Sequence, residues 1–238
     1  MKVCIAQPEH LPWLGYFDKI AQADVFVFLD NVQFKKRYFE NRNRIRTATG
    51  WIWVTVPVRS KGRFTQLLQD VEIDNDRDWQ PGYWKSLELN YRRAEFFPRN
   101  RDFLEDTFAA RAWKRLAELN LHLIRWAADE FGITKEFVLA SALGVSGRAS
   151  ELLARICNQL GAKTYLSGIS GREYLNEALF AASGIAIEYQ TFHHPIYRQQ
   201  YEPFEPCMAF VDLLLNHGPA SRKILLDAQT ERLPTVFT

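Results

Sequence analysis

Two short groups of polar side chains each follow an apolar run near the start of the chain, and their chemistry suggests one ligand site. The first group, after the run 3–6, comprises Gln7, Glu9 and His10. The second, after the run 25–29, comprises Asp30, Asn31 and Gln33. An imidazole transfers protons near neutral pH, and carboxylates and carboxamides orient a substrate by hydrogen bonds. We therefore predict three catalytic residues, His10, Gln7 and Asp30, and three substrate-binding residues, Glu9, Asn31 and Gln33.

The apolar runs predict the elements that position these side chains. Leu14, Phe17 and Ile20 recur at helical spacing between the two runs, so residues 2–34 are typical of a strand–loop–helix–strand unit. Further strands are predicted at 137–140, 164–167 and 185–189, and helices separate them. This alternation predicts an α/β fold with a mainly parallel sheet and helices on both faces. Ligands gather where parallel strands end, so we expect the polar groups to share one crevice.

The middle of the chain interrupts this alternation. Residues 79–131 carry helical patterns without a strand, which predicts a helical insertion. A chain of 238 residues fits one compact domain, so we predict a single α/β domain over 1–238 with that insertion.

A basic segment precedes the aromatic run 51–58, which is predicted as a strand. Lys36, Arg42, Arg44 and Arg46 lie in what we interpret as a connection between strands. Arginine and asparagine alternate there and supply donors that suit phosphate or carboxylate. We weigh an anion site formed by Lys36, Arg42 and Arg44 evenly against a solvated loop.

Two later turns are near copies of each other. They read G-V-S-G-R at 144–148 and G-I-S-G-R at 168–172. Glycine permits close backbone approach and exposed amides at a helix start favour an anion, although Gly and Ser are also ordinary in such turns. Neither turn has the lysine of a P-loop. The candidate substrate-binding residues in and beside the turns are Ser146, Arg148, Ser170, Arg172 and Tyr174.

Composition and the remaining motifs restrict the function class. His193 and His194 follow the last predicted strand, and His194 is our second candidate base. No Cys, Asp or Glu stands at ligand spacing from this pair, so we expect no metal, and we expect no bound cofactor. A net charge of +2 argues against nucleic-acid binding by bulk charge. Three dispersed cysteines, the absence of a leader and the absence of a long apolar run predict a cytoplasmic protein without a membrane segment.

Several motifs, distributed along the whole chain, together resemble the WbqC-like family. They are QPEHLPWLGYF at 7–17, FLDNVQF at 28–34, NRNRIR at 41–46, YLSGISGREYL at 165–175, HHPIY at 193–197 and DLLLNHGP at 212–219. The resemblance implies a role in sets of bacterial O-antigen and other surface-polysaccharide proteins. A looser likeness to nucleotidyl-transferring α/β folds implies a Rossmann-like sheet. Their H-x-G-H sequence is absent, because Leu11 to Trp13 follow His10.

These observations and the resemblance together lead to one preferred function and two alternatives. We expect transfer of an acyl or aminoacyl group, from a carrier-protein or CoA thioester, to an amine such as an amino-sugar nucleotide. His10 or His194 would accept the amine proton. The alternatives are a nucleotidyltransferase acting on a sugar or small acid, and a protein that binds a sugar nucleotide without turnover. The expected partners are a small-molecule substrate, such as a sugar nucleotide, and an acyl-carrier protein. We expect neither a nucleic acid nor a membrane as a partner, and the oligomeric state stays open.

Overall fold

The computed structural model describes residues 1–227 and contains a main sheet, a separate hairpin and two helical layers. The strands are β1 (Lys2–Ala6), β2 (Val25–Phe28), β3 (Arg42–Thr47), β4 (Gly50–Thr55), β5 (Glu136–Leu139), β6 (Thr164–Ser167) and β7 (Ala186–Tyr189). The helices are α1 (Leu14–Gln22), α2 (Gln80–Tyr91), α3 (Phe97–Glu105), α4 (Leu116–Glu130), α5 (Ala149–Gln159), α6 (Glu177–Ala182), α7 (Val211–His217) and α8 (Ser221–Asp227).

Five parallel strands form the main sheet in the order β5-β2-β1-β6-β7. This confirms the predicted α/β class, and each of the five strands lies within one residue of its predicted position. β1 is central, since it pairs with β2 on one side and with β6 on the other. The chain builds outward from β1 to β5 and then returns to the other side of β1. Open parallel sheets bind ligands beside such a reversal, at the carboxyl ends of the strands.

The core lies on both faces of this sheet. Side chains alternate along β1, so Val3 and Ile5 join one apolar cluster with α5, while Cys4 joins the other with α1 and α4. Val3 and Cys4 have no exposed surface, which explains why β1 is a continuous apolar run rather than an alternating one. Helices therefore cover both faces, as predicted.

The insertion between β2 and β5 is larger than the sequence analysis predicted. It contains the antiparallel hairpin β3–β4 as well as α2, α3 and α4. The prediction that the basic segment is a loop is wrong, because residues 42–47 form β3. Asn43 and Ile45 are buried while Arg42 and Arg44 are only partly covered, and this alternation is that of a strand with one packed face.

The prediction of one domain over 1–238 includes residues 228–238, which lie outside the described residues. Within residues 1–227, no helix is both long enough and apolar enough to cross a membrane.

Candidate functional site

A cavity of about 560 Å³ opens where β1, β6 and β7 end. The loop after β1 contributes Glu9 and Trp13, the turn after β6 contributes Gly168, Ile169 and Ser170, and the segment after β7 contributes residues 190–193. Lys19, Tyr38, Phe39, Arg44 and Cys207 complete its lining. The cavity therefore lies beside the reversal between β1 and β6, where the fold brings the ends of neighbouring strands together.

Glu9 is a cavity residue whose carboxyl group can act as an acid or a base at neutral pH. Its carboxylate makes no hydrogen bond or ion pair with any other residue in the range 1–227. Burial raises its pKa to about 7, although Lys19 and Lys35 act in the opposite direction. A carboxyl group whose pKa matches the working pH can both accept and return a proton. Glu9 was predicted as a substrate-binding residue, and its environment is that of a general base.

His10 is buried beneath the cavity rather than exposed in it. Its side chain has no exposed surface, and it is absent from the cavity lining. Nδ1–H donates to Asn120 Oδ1 at 2.9 Å, and Tyr83 O–H donates to Nε2 at 2.6 Å. Burial lowers the pKa of His10 to about 4. Because both ring nitrogens are used, the structure contradicts our prediction that His10 faces a ligand.

His194 is also held by its neighbours. Its Nδ1–H donates to Pro195 O at 2.9 Å, and its Nε2 accepts from the Cys207 amide at 3.1 Å. Burial lowers its pKa to about 4. It lies outside the cavity lining, whereas the adjacent His193 lines the cavity. His194 therefore fixes the Cys207 segment, and its predicted position in the site is wrong.

Two cations, Lys19 and Arg44, give the cavity its capacity to bind an anion. Neither forms an ion pair with a carboxylate within residues 1–227. The Arg44 guanidinium lies 5.1 Å from the centre of the Trp51 ring, and one of its amino groups donates to Cys207 O at 3.3 Å. A guanidinium held in this way keeps further donors for carboxylate or phosphate.

Buried polar contacts fix the cavity wall that follows β7. The Gln190 amide donates to Asp18 on α1 and to Gly15 O at 2.8 Å, and its backbone N–H donates to Ser167 O at 2.8 Å. Both amide hydrogens of Gln190 are thereby used, which leaves its carbonyl oxygen as the atom able to contact a ligand.

A second buried cluster, centred on Asp212 of α7, anchors the chain beyond this wall. Tyr197 and Gln199 donate to Asp212 Oδ2 at 2.9 and 2.7 Å, and Tyr91 donates to Oδ1 at 3.1 Å. Arg46 of β3 donates to Gln199 Oε1 at 3.2 Å. The cluster ties residues 197–199 to α2, α7 and the hairpin, so it anchors the segment that follows the cavity wall.

The polar residues after β2 lie outside the cavity, and two of them contact the segment that follows β5. Asp30 accepts from the Ser141 amide at 2.9 Å and from the Ser141 hydroxyl at 2.6 Å, so it secures the turn after β5. Asn31 donates to Val145 O at 3.4 Å in the same region. Gln33 is exposed and donates to Phe64 O at 2.7 Å. None of the three lines the cavity, which corrects the prediction of one shared crevice.

The two G-x-S-G-R turns are also separated. β5 and β6 have β2 and β1 between them, and three strand spacings amount to roughly 14 Å. Only the second turn reaches the cavity, through Gly168, Ile169 and Ser170. The other predicted residues that do not line it are Gln7, Lys36, Arg42, Ser146, Arg148, Arg172 and Tyr174. Of the predicted residues, Glu9, Arg44 and Ser170 are brought together.

Several cavity residues were not predicted from the sequence, although some of them have a feature that could have indicated their place in the site. Gln190 directly follows β7, so the rule that polar residues gather at strand ends applied to it as well. Lys19 is a charged residue on a largely buried helix, which is a weaker signal. Cys207 gave none, since it comes from a loop distant in sequence. Residues 1–227 contain no group of three or more His, Cys, Asp or Glu side chains able to hold a metal.

Comparison with known proteins identifies the family of the chain. The model of the WbqC-like protein family matches residues 7–224, a range that contains every residue of the cavity lining. A protein of Mycobacterium tuberculosis (strain ATCC 25618 / H37Rv), called uncharacterized protein Rv1507c, is 36% identical over 218 residues, which are 91% of this chain and 94% of that protein. No solved structure matches the chain. The chain belongs to the WbqC-like protein family.

Proposed function

We propose that the protein transfers an acyl or aminoacyl group from a thioester to an amine, with Glu9 as the general base. The observation that carries the proposal is the Glu9 carboxyl group, which has a pKa of about 7 and no hydrogen bond or ion pair within residues 1–227. It lies in a cavity with two cations, Lys19 and Arg44, that form no ion pair in the same range. An amine attacks only as its neutral form, and a carboxylate that titrates near neutrality can remove the proton as the bond to carbon forms.

The residues of the cavity suit the steps of that reaction. The amine nitrogen attacks the thioester carbonyl carbon, Glu9 accepts the amine proton, and the oxygen gains negative charge. The Lys19 ammonium and the Ser170 hydroxyl are the nearby donors for this oxyanion. The C–S bond then breaks, and Glu9 returns the proton to the departing thiolate. The products are an amide and a free thiol.

Direct attack on the thioester is favoured over an enzyme-bound acyl intermediate. Cys207 is the only cysteine among the lining residues of this cavity, and burial raises the pKa of its thiol despite the nearby Arg44. The thiol form therefore predominates at neutral pH, and the thiolate is the nucleophilic form. Cys4 and Cys157 are buried in the core, and burial raises the pKa of their thiols to about 11 and about 12.

The proposed acceptor is an amino-sugar nucleotide for surface-polysaccharide assembly, as the family resemblance implies. Arg44, at the cavity wall, would bind its phosphate groups. The donor is a thioester of CoA or of an acyl-carrier protein, and we propose no metal, cofactor or nucleic acid.

The proposal is tested with purified protein and a panel of thioesters and amino-sugar nucleotides. Mass spectrometry should detect the amide product together with free thiol, and Glu9→Gln should slow the formation of both by about 10²- to 10⁴-fold. Release of pyrophosphate from a nucleoside triphosphate would instead support the nucleotidyltransferase alternative. Tight binding of a sugar nucleotide that Glu9→Gln leaves unchanged, without turnover of any donor, would support the binding-protein alternative.

A further inference from the structure

A continuous surface of exposed aromatic rings and cations lies beside the cavity mouth. We call it the aromatic–basic patch, and it comprises Lys35, Lys36, Arg37, Tyr38, Arg42, Arg44, Trp51, Trp53 and Phe64. Four of its rings are exposed, from 38% for Trp53 to 72% for Phe64. Tyr38 and Arg44 also line the cavity, so the patch and the mouth adjoin.

Each ring of the patch has a cation over its face. The distances from cation to ring centre are 5.2 Å for Lys35 and Tyr38, 4.7 Å for Lys36 and Phe64, 4.3 Å for Arg42 and Trp53, and 5.1 Å for Arg44 and Trp51. Phe39 connects the Tyr38 side of the patch with the β4 side, because its ring centre lies 5.2 Å from that of Tyr38 and 5.9 Å from that of Trp53. Apolar and cationic groups therefore alternate across one surface.

The cations of the patch are not held in ion pairs by the described part of the chain, although Lys35 is near enough to Glu9 and Glu40 to act on the pKa of both carboxyl groups. Within residues 1–227, none of its five cations forms an ion pair with a carboxylate. The neighbouring Arg59 and Arg63, by contrast, pair with Asp76 and Glu72 at 2.8 Å. The unpaired charges make this surface complementary to an anionic one.

The shape of the patch favours a bilayer over a folded partner. Successive residues of β4 face opposite sides, and Trp51, Ile52 and Trp53 are 38–40% exposed, so the strand stands out from the body of the protein. Phe64 protrudes from a separate loop that contacts Lys36. A folded partner needs a surface complementary to both projections, whereas the headgroup region of a membrane adapts to them. A second copy is disfavoured, since a two-fold contact sets like charges against each other.

We propose that the aromatic–basic patch binds peripherally to the surface of an anionic lipid bilayer. Tryptophan and tyrosine rings favour the headgroup level, and lysine and arginine near them are attracted to anionic lipids. Bound in this way, the protein would present the mouth of its cavity to the membrane surface. This binding is independent of the reaction proposed above, and it needs no spanning helix.

The proposal is tested by co-sedimentation of the protein with phosphatidylcholine vesicles that contain about one third phosphatidylglycerol. The protein should pellet with these vesicles and not with pure phosphatidylcholine. Raising the salt from about 0.1 M to about 1 M should release it, because screening shortens the range of the attraction. The double variant Lys36→Gln with Arg42→Gln should bind at least about tenfold more weakly, and Phe64→Ser should also weaken binding.

A matched control removes two charges from another face. Arg92 and Arg93 are exposed beside the end of α2 and have no ion pair within residues 1–227, so Arg92→Gln with Arg93→Gln should bind vesicles as the wild type does. Circular dichroism should show that all variants are folded. Equal recovery with both kinds of vesicle, or equal loss in both double variants, contradicts the proposal. Salt-sensitive binding to an acidic carrier protein without vesicle binding would assign the patch to a protein partner instead.

Discussion

Glu9 and His10 are adjacent in the chain, yet their surroundings give them opposite chemistry. Glu9 faces the cavity, and burial makes its charged form less favourable until its pKa approaches neutrality. His10 is enclosed by Tyr83 and Asn120, and burial favours its neutral form. Asn120 also donates to Pro8 O and Glu40 O, at 2.8 Å each, so His10 belongs to a buried network that holds the first loop to the start of the hairpin.

We predict that His10→Ala destabilises the protein without removing its chemistry. The substitution leaves the Tyr83 hydroxyl and the Asn120 carbonyl oxygen buried without partners, which should lower the free energy of unfolding by about 2–5 kcal/mol. Urea unfolding measures this loss, and kcat below the unfolding transition should stay within about threefold of wild type. An unchanged free energy of unfolding together with a kcat about 100-fold lower would restore His10 as the base.

The pH dependence of stability provides a second test of His10. Its pKa is about 4 in the folded protein and about 6.5 when unfolded, so below pH 6.5 the unfolded chain binds the proton more readily. The neutral His10 ring therefore contributes its full share to the free energy of unfolding above pH 6.5. This contribution is lost as the pH falls towards 4, and the loss amounts to roughly 3 kcal/mol in total. Replacing His10 with Gln should flatten the change in unfolding free energy across this range. If the wild type and His10→Gln lose stability equally, His10 is not buried as a neutral ring.

Cys207 distinguishes direct attack from an enzyme-bound acyl intermediate. Because its thiol is mainly protonated at neutral pH, we expect Cys207→Ser to keep turnover within about threefold of wild type. A mass increase on the protein, trapped with a thioester in the absence of amine and lost in Cys207→Ser, would show that the cysteine carries the acyl group.

At the scale of single elements, the turn after β6 contains a glycine that packs closely against two side chains. A Cβ on Gly171 would overlap Ser167 Oγ and lie 3.0 Å from Leu175 Cδ1. Gly171→Ala should therefore destabilise the protein by about 1–3 kcal/mol and displace Ser170 in the cavity wall. Gly82 of α2 is the matched control, since a Cβ there meets no atom within 4 Å and alanine favours a helix. Equal melting temperatures for the two variants would contradict the close approach at Gly171.

The parallel strands and β4, which lies in the run 51–58 predicted as a strand, were predictable, whereas β3 was not, for a physical reason. A strand buried on both faces is a continuous apolar run, and such runs stand out at 3–6 and 25–29. In β3 one face carries Arg42, Arg44 and Arg46, so the segment has the composition of a solvated loop. In the sequence, Asn43 and Ile45 alternate with arginines, and this period of two was the available signal for a strand. The high arginine content concealed it.

At the scale of the whole molecule, topology decides which strand ends share a site. Polar groups lie at the strand ends, as predicted, but the order of the strands in the sheet is not readable from the sequence. The observed order puts β6 and β7 beyond β1, so the ends of β1, β6 and β7 form the cavity while Asp30 and Asn31 contact the turn after β5. The burial of single side chains, which gives Glu9 and His10 different pKa shifts, also depends on this long-range packing.

The pH dependence of kcat for wild type and Glu9→Gln tests the central claim most directly. Wild-type kcat for amide formation should rise with pH around an apparent pKa near 7, as the Glu9 carboxylate forms. Glu9→Gln should lower kcat by about 10²- to 10⁴-fold and abolish that rise. Glu173→Gln, at an exposed carboxylate outside the cavity, should behave as wild type. A Glu9→Gln enzyme with kcat within about threefold of wild type and an unchanged pH profile would show that Glu9 is not the base.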